Sequence, residues 1–342
     1  MTSKLKVNIV SESTISIQGH GVHTAYEEMC HSLEARNDVE VVRGEFKTEI
    51  DCDIVHLHTI GTRLWGKILQ DGPKKVVSAH VVPDSFVGSL VGAQFWRPLA
   101  VAYLRWFYSK ADLLLAVSPQ TARELAKLKV KAPIEVLYNS IDTGRYRPTA
   151  GSVKSRQQLR KQLGIKKDSF VVIGAGQVQP RKRVDLFVKA AKALPEITFV
   201  WVGGIPFGRA AADHKDMKKL MKQKLPNLVF TDIVPLENMP KYYQMADLFW
   251  LPSEQETFGL VVVEAAAAGL PILLRRSDDY NGTFGDDAHY GDDDSFVEDI
   301  KAIMSDKKLY SEFKIGAQAI TDRFDSVKLT ERLVELYRQL LA

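Results

Sequence analysis

Two glutamates eight positions apart, Glu256 and Glu264, stand in the stretch Pro252-Ser253-Glu254-Gln255-Glu256-Thr257-Phe258-Gly259-Leu260-Val261-Val262-Val263-Glu264. The stretch follows a strand pattern, Leu248–Leu251, and runs into an alanine-rich helix pattern that ends at Gly269. A helix starting near Gly259 leaves backbone N–H groups without intrahelical partners, and these offer a site for a diphosphate. Carboxylates on the loop and on the helix accept hydrogen bonds from vicinal hydroxyls such as those of ribose. Amides for phosphate beside carboxylates for hydroxyls describe a sugar nucleotide. Taken singly, Glu256 reads as solvated and Glu264 as a helix cap; the joint setting favours the ligand.

A second loop, Gly176-Gln177-Val178-Gln179-Pro180-Arg181-Lys182-Arg183, follows the strand pattern Phe170–Gly174. Three adjacent cations at a strand's end suit a leaving diphosphate, whose charge grows in the transition state. The alternative is a solvated basic loop. Nearer the N-terminus, Gln18-Gly19-His20-Gly21-Val22 joins a strand pattern to a helix pattern, and its glycines let backbone approach a ligand closely. The spacing is not G-x-G-x-x-G, and a turn accounts for Gly19 equally well. His80, in Ala79-His80-Val81-Val82-Pro83, follows the strand pattern Val76–Ser78, where a doubly wound sheet presents residues to its ligand crevice. His56 and His58 lie inside a buried strand pattern and read as structural. Asp51-Cys52-Asp53 leads into a strand, and Asp286-Asp287 and Asp292-Asp293-Asp294 read as solvated surface, so no metal site is expected.

The elements that must position these loops alternate short β-branched runs with helical patterns, the signature of parallel sheets built from βαβ units. Strands are expected at Val7–Val10, Val39–Val42, Ile54–Leu57, Val76–Ser78, Leu113–Val117 and Ile134–Leu137. After a break at Tyr146–Ser155, they resume at Phe170–Gly174, Thr198–Val202, Leu228–Phe230, Leu248–Leu251 and Ile272–Leu274. Val327–Leu341 carries leucines and a tyrosine at helical spacing. The chain's 342 residues, 45% hydrophobic and 26% charged, suit two α/β domains.

Two cysteines, Cys30 and Cys52, exclude a disulfide scaffold and a four-thiolate zinc site and suit a reducing compartment. The N-terminus does not read as a signal peptide, and the apolar stretch Phe86–Tyr108 is broken by Arg97, Pro98 and Arg105, so no spanning helix is expected. The net charge of +4 is too small to argue for nucleic acid. Its distribution is uneven: residues 58–131 hold eleven basic side chains against four acidic ones. Within that zone, Phe95–Lys110 mixes Trp96, Tyr103, Trp106 and Phe107 with Arg97, Arg105 and Lys110. This composition suits a helix lying on an anionic membrane surface, the alternative being a core helix.

These segments resemble family 4 of the retaining glycosyltransferases. Asp53–His58, Ala116-Val117-Ser118, Tyr138–Asp142, Gly203-Gly204 and Tyr243–Leu273 extend the likeness over nearly the whole chain. The resemblance implies the GT-B fold, two Rossmann-like doubly wound α/β domains facing a central cleft. The acceptor domain would be residues 1–150, with the helix 327–342 crossing back to it, and the donor domain residues 151–326. It makes Glu256 and Glu264 the family's E-x7-E pair and Lys182 its diphosphate-binding lysine. Gly21 would face the donor phosphate, His80 would contact the donor sugar near the reaction centre, and Thr257, Phe258, Gly259 and Leu260 would line the donor site. The family has arginine where this chain has Gln177, leaving Arg181 or Arg183 to supply the second cation.

Within the family the chain is most similar to short bacterial enzymes that add an α-hexose to a monoglycosyl-diacylglycerol. That implies a UDP-glucose or UDP-galactose donor, a glycolipid acceptor, metal-independent retaining chemistry without a cofactor, and a cytoplasmic protein peripheral to the inner face of the membrane. A polysaccharide or undecaprenyl-linked acceptor, or a non-catalytic nucleotide-sugar-binding subunit, are the competing expectations.

Overall fold

The computed structural model describes residues 4–14, 21–48, 50–83, 93–205 and 214–342. The chain divides into two compact units: residues up to Asp142 together with Phe324–Ala342 form the first, and Thr143–Arg323 forms the second. The division precedes the expected break at 150. The segment after Thr143 is tied into the second unit instead, where Gln244 donates to the Tyr146 carbonyl at 2.9 Å and the Tyr146 and Tyr243 rings pack at 6.1 Å. At the other end, the chain rejoins the first unit at Phe324 rather than at 327, through a bridge between Ile141 and Asp325.

The first unit is a six-stranded parallel sheet of β1 (Leu5–Val10), β2 (Val39–Arg43), β3 (Ile54–Leu57), β4 (Lys74–Ala79), β5 (Leu113–Ala116) and β6 (Ile134–Val136), in the order β2-β1-β3-β4-β5-β6. Its helices are α1 (Gly21–Glu34), α2 (Trp65–Leu69), α3 (Ala93–Tyr108) and α4 (Pro119–Lys127). Every residue of β3 and β5 is buried, because helices cover both faces. Side chains alternate between the faces. Leu5, Val7, Ile9, Ile54 and Val76 point to one core with Tyr26, Cys30 and Leu33 of α1, while Val10, Val55, Leu57 and Val77 point to another with Leu104, Phe107 and Tyr108 of α3.

The second unit opens with α5 (Ser152–Gln162), within and beyond the expected linker. Its sequence SVKSRQQLRKQ lacks an apolar stripe; Arg156 and Arg160 anchor it instead, reaching Asp247 at 2.6 and 2.8 Å. The sheet comprises β7 (Val171–Ala175), β8 (Thr198–Val202), β9 (Leu228–Phe230), β10 (Leu248–Leu251), β11 (Ile272–Arg275) and β12 (His289–Gly291), all parallel in the order β12-β11-β10-β7-β8-β9. The sequence offers no apolar run for β12, a three-residue edge strand of His, Tyr and Gly. The remaining helices are α6 (Val184–Ala193), α7 (His214–Met221), α8 (Met239–Met245), α9 (Leu260–Ala267), α10 (Phe296–Ser305) and α11 (Lys307–Arg323). The last helix, α12 (Ser326–Leu341), belongs to the first unit, where Leu333, Val334, Leu336 and Tyr337 close the α1 face of the core.

Both strand orders reverse direction once, between β1 and β3 in the first unit and between β7 and β10 in the second. In open parallel sheets these switch points, at the carboxyl ends of the strands, are where ligands bind.

Candidate active site

The two charged loops of the second unit leave the adjacent strands β7 and β10, so its switch point brings them together. After β7 the chain passes Gly176 and makes a short turn over Pro180–Lys182, with Arg183 left-handed at φ 49°. The turn sits tightly on the end of β8: a Cβ added at Gly203 would lie 2.1 Å from the Gly176 carbonyl oxygen, so only glycine fits. After β10, Glu254 N donates to the Arg181 carbonyl at 2.8 Å and Ser253 Oγ donates to the same carbonyl at 3.2 Å. Backbone thereby fastens one loop to the other.

The result is a buried charge cluster. The Lys182 ammonium pairs with the Glu256 carboxylate, the two residues being 6% and 8% exposed. Arg181 Nη1 lies 3.9 Å from the same carboxylate and donates to the Gln255 carbonyl at 2.7 Å. Burial pushes the Glu256 carboxyl upward, but Lys182 and Arg181 outweigh it and hold the group below its ordinary value. Burial, reinforced by Arg181 and opposed by Glu256, lowers the Lys182 ammonium. Glu256 is neither solvated nor loosely held: its backbone N–H donates to Asp279 at 2.8 Å, from the turn after β11.

Glu264 is buried on α9 and accepts a hydrogen bond from the Tyr243 hydroxyl of α8 at 2.6 Å, so it is not a helix cap. Gly259 precedes α9 at φ 91°, a left-handed conformation that favours glycine, and its carbonyl accepts from the Val262 N–H at 2.9 Å in the first turn of the helix. Leu260 begins the helix; Thr257 precedes it in the loop. Phe258 is buried, its ring 6.1 Å from that of Phe284, so its side chain serves packing.

The two arginines flanking Lys182 separate clearly. Arg183 is engaged by Asp185 at 3.0 Å, Glu254 at 2.8 Å and Asp293 at 2.9 Å. Asp293 also pairs with Arg275, so part of the aspartate run expected as solvated surface is a structural anchor. Arg181 is the arginine that borders Glu256, while Gln177 accepts from Gln179 at 2.9 Å. Sequence spacing could not distinguish the arginines, because two of the three carboxylates that occupy Arg183, Glu254 and Asp293, come from far along the chain. Asp279, Tyr243 and Tyr280 were also missed. Tyr280 is buried near Glu256 and Asp279, and its hydroxyl has no hydrogen-bond partner among the described residues.

In the first unit, His80 follows β4 and is buried, with Nε2 3.2 Å from His58 Nδ1 and the two rings stacked at 5.3 Å. His56 contacts the Tyr337 hydroxyl and, at 2.8 Å, Ser78 Oγ. Gly21 is the first residue of α1, and a Cβ there would meet no described atom within 4 Å. Gln18, Gly19 and His20 lie outside the described residues. On α3, Arg97, Leu99 and Arg105 are exposed, Leu99 by 74%, as is Lys110 in the turn after it, whereas Trp106 is half-buried. Trp106 packs edge-on to Trp65 at 5.7 Å, and Trp65, itself 43% exposed, donates to the Tyr103 hydroxyl at 3.0 Å. The helix is thus both core and surface: Leu104, Phe107 and Tyr108 face inward, and a half-exposed aromatic group faces out. The side chain of Trp96 lies outside the described residues.

The profile described as "Glycosyltransferase Family 4" matches residues 20–145, and "Glycosyl transferases group 1" matches residues 155–319. The α-galactosylglucosyldiacylglycerol synthase of Streptococcus pneumoniae is 33% identical over 280 residues, covering 81% of this chain and 74% of that protein. The processive diacylglycerol α-glucosyltransferase of Acholeplasma laidlawii is 27% identical over 277 residues, 79% of each chain. Among solved structures, Anabaena HepE in complex with UDP and glucose superposes with a TM-score of 0.77 at 18% identity, over 97% of this chain and 99% of that one. Sucrose-phosphate synthase from Thermosynechococcus elongatus gives 0.78 at 17%, over 98% and 99%. With its two parallel-sheet units and a charged site at the second switch point, the chain belongs to family 4 of the glycosyltransferases and has their GT-B fold.

Proposed function

We propose that this glycosyltransferase moves an α-hexose from UDP-glucose or UDP-galactose to monoglucosyl-diacylglycerol, retaining configuration at the anomeric carbon. The observation that carries the reading is the cluster of Lys182, Glu256 and the half-buried Arg181, with Lys182 and Glu256 buried, on the loops that leave β7 and β10. A pre-oriented cation at a leaving diphosphate lowers the barrier without reorganising at the moment of reaction. In this reading the bond between the sugar's anomeric carbon and the diphosphate oxygen breaks, with Lys182 and Arg181 stabilising the released UDP. The acceptor hydroxyl bonds to the same face of the carbon, and its proton passes to the departing phosphate oxygen. Glu264 takes the ribose hydroxyls and Glu256 those of the sugar. These charges take the role a divalent ion plays elsewhere, so neither a metal nor a cofactor is part of the proposal.

The diacylglycerol acceptor is supported by the names of the Streptococcus and Acholeplasma relatives and by the surface of α3. Among the described residues no helix is long and apolar enough to cross a membrane. Arg97, Arg105 and Lys110, with Leu99, Trp65 and Trp106, instead suit docking on the anionic inner face of the membrane. The test is transfer by the purified chain from radiolabelled UDP-glucose or UDP-galactose to vesicles of phosphatidylglycerol and monoglucosyl-diacylglycerol. Release of UDP with formation of a diglycosyl lipid supports the reading. Transfer to a soluble saccharide alone, or no turnover with any donor, overturns it.

A further inference from the structure

Tyr280 stands in the turn after β11, next to Asp279, whose carboxylate accepts the Glu256 N–H at 2.8 Å. Its ring packs on Phe284 at 5.6 Å, and Phe284 packs in turn on Phe258 of the Glu256 loop at 6.1 Å. The residue is 2% exposed, yet its hydroxyl has no hydrogen-bond partner among the described residues. A buried hydroxyl without a partner costs stability, so its place beside a buried carboxylate calls for an explanation. Burial, and after it the negative charge of Glu256 and of Asp279, holds the phenol well above its ordinary value. It keeps its proton and remains a donor. In this structure Glu256 has no need of that donor, because the Lys182 ammonium pairs with its carboxylate.

Both partners of that ion pair are buried, so the ammonium has to turn away from the carboxylate to meet a diphosphate. What it leaves behind is a buried carboxylate short of counter-charge, a costly state. Arg181 lies 3.9 Å away with its Nη1 donated to the Gln255 carbonyl. Ser253 also borders the carboxylate, but its single hydroxyl proton is offered to the Arg181 and Gln255 carbonyls, at 3.2 and 3.1 Å. The Tyr280 proton is uncommitted. We propose that Tyr280 is a positioning residue that takes over the Glu256 carboxylate when Lys182 turns to the diphosphate. Glu256 then stays ionised and in place for the hydroxyls of the sugar. The ligand half of the proposal rests on the reading of Lys182 as the diphosphate cation; the pairing of Tyr280 with a Glu256 that has lost Lys182 does not.

The experiment is a thermal-unfolding cycle on the full chain with Tyr280→Phe, Lys182→Met and the double variant, followed by calorimetry with UDP. Without UDP, Tyr280→Phe removes an unpaired hydroxyl, and its midpoint should equal the parent's or exceed it by about one to three degrees. In the Lys182→Met background the hydroxyl bonds to Glu256, so the same change should lower the midpoint by about as much. This reversal of sign is not expected of a residue that merely packs. A lowered midpoint in the parent background, or no lowering in the Lys182→Met background, would overturn the proposal. Lys182→Ala takes the place of Lys182→Met if that variant fails to fold. In calorimetry Tyr280→Phe should bind UDP roughly tenfold more weakly than the parent, because Glu256 then loses Lys182 without replacement; unchanged affinity would overturn the ligand half. No UDP binding by the parent would overturn the donor reading itself, while the cycle without UDP still reads the pairing, so the two failures are told apart.

Discussion

At the switch point of the second unit, Lys182, Arg181 and Glu256 are gathered with their charges opposed and their backbones laced together. In the first unit, His58 after β3 lies against Met29 of α1 and stacks on His80 after β4, and His56 is pushed down to about 3 by burial and by His80. One sheet end concentrates fixed charge, and the other keeps the His56 and His58 imidazoles neutral. The contrast follows the ligands proposed for them. A diphosphate needs permanent counter-charge, and burying such charge is tolerable only where it is paired. A hexose has hydroxyls alone, and neutral acceptors and donors bind these without the cost of desolvating an ion.

Removing the central cation should break the contrast most sharply. Lys182→Ala is expected to lower kcat roughly a hundred- to a thousandfold, with a smaller loss in UDP affinity, because its charge matters most as the phosphate charge develops. Glu256→Gln loses a charge-assisted bond of about 1.5–3 kcal/mol, and Glu264→Gln a similar one to the donor. Steady-state rates paired with UDP calorimetry measure both effects, and parental turnover in all three variants would remove the donor site from the second unit.

The arginines give the next largest expected effect. Arg181→Ala should reduce turnover clearly, whereas Arg183→Ala, which breaks ion pairs with Asp185, Glu254 and Asp293, should mainly lower the thermal midpoint. Gln177→Arg in the Arg181→Ala background should recover activity by returning a cation to the loop. Equal and negligible effects at positions 181 and 183 would show that Lys182 alone faces the phosphate.

Acid separates the units by a different route. The folded His56 value lies below the ordinary 6.5, so the unfolded chain binds a proton that the native chain refuses. Stability from His56 is full above about 6.5 and is lost progressively as pH falls toward 3. Glu256, held below the ordinary 4.5, keeps its contribution until the pH falls under that value. Between pH 6 and 5, hydrogen exchange should accelerate in β3 and β4 before it does in β7 and β10; simultaneous loss would mean the histidines are not the acid-sensitive groups.

Much of this was legible in the chain. Strand runs, the glutamate pair and the cationic loop are local patterns, and a strand's end followed by glycine or charge names a ligand loop without any tertiary knowledge. What stayed hidden depends on residues far apart. His58 reads as one more buried strand residue until α1 sets Met29 against it. α5 looks like linker because its anchor, Asp247, lies far along the chain, and β12 offers three residues with no apolar run. The smallest expected effect concerns α3, whose mixed pattern also could not be divided by sequence. Arg105→Glu with Lys110→Glu should weaken sedimentation with phosphatidylglycerol vesicles by about 1 kcal/mol per charge replaced, and added salt should mimic the change.

The α12 helix has a consequence for how the protein is made. The α1 face of the first sheet is closed by Leu333, Val334, Leu336 and Tyr337, yet these follow Thr143–Arg323 in the order of synthesis. On a ribosome adding about 5–20 residues per second, the first sheet therefore waits on the order of ten to thirty-five seconds for its last helix. During that interval the neighbourhood of Leu5, Val7 and Ile9 is incomplete while the second unit is able to fold. The unit that begins first is finished last, and its unfinished apolar face is where a chaperone would be needed during translation.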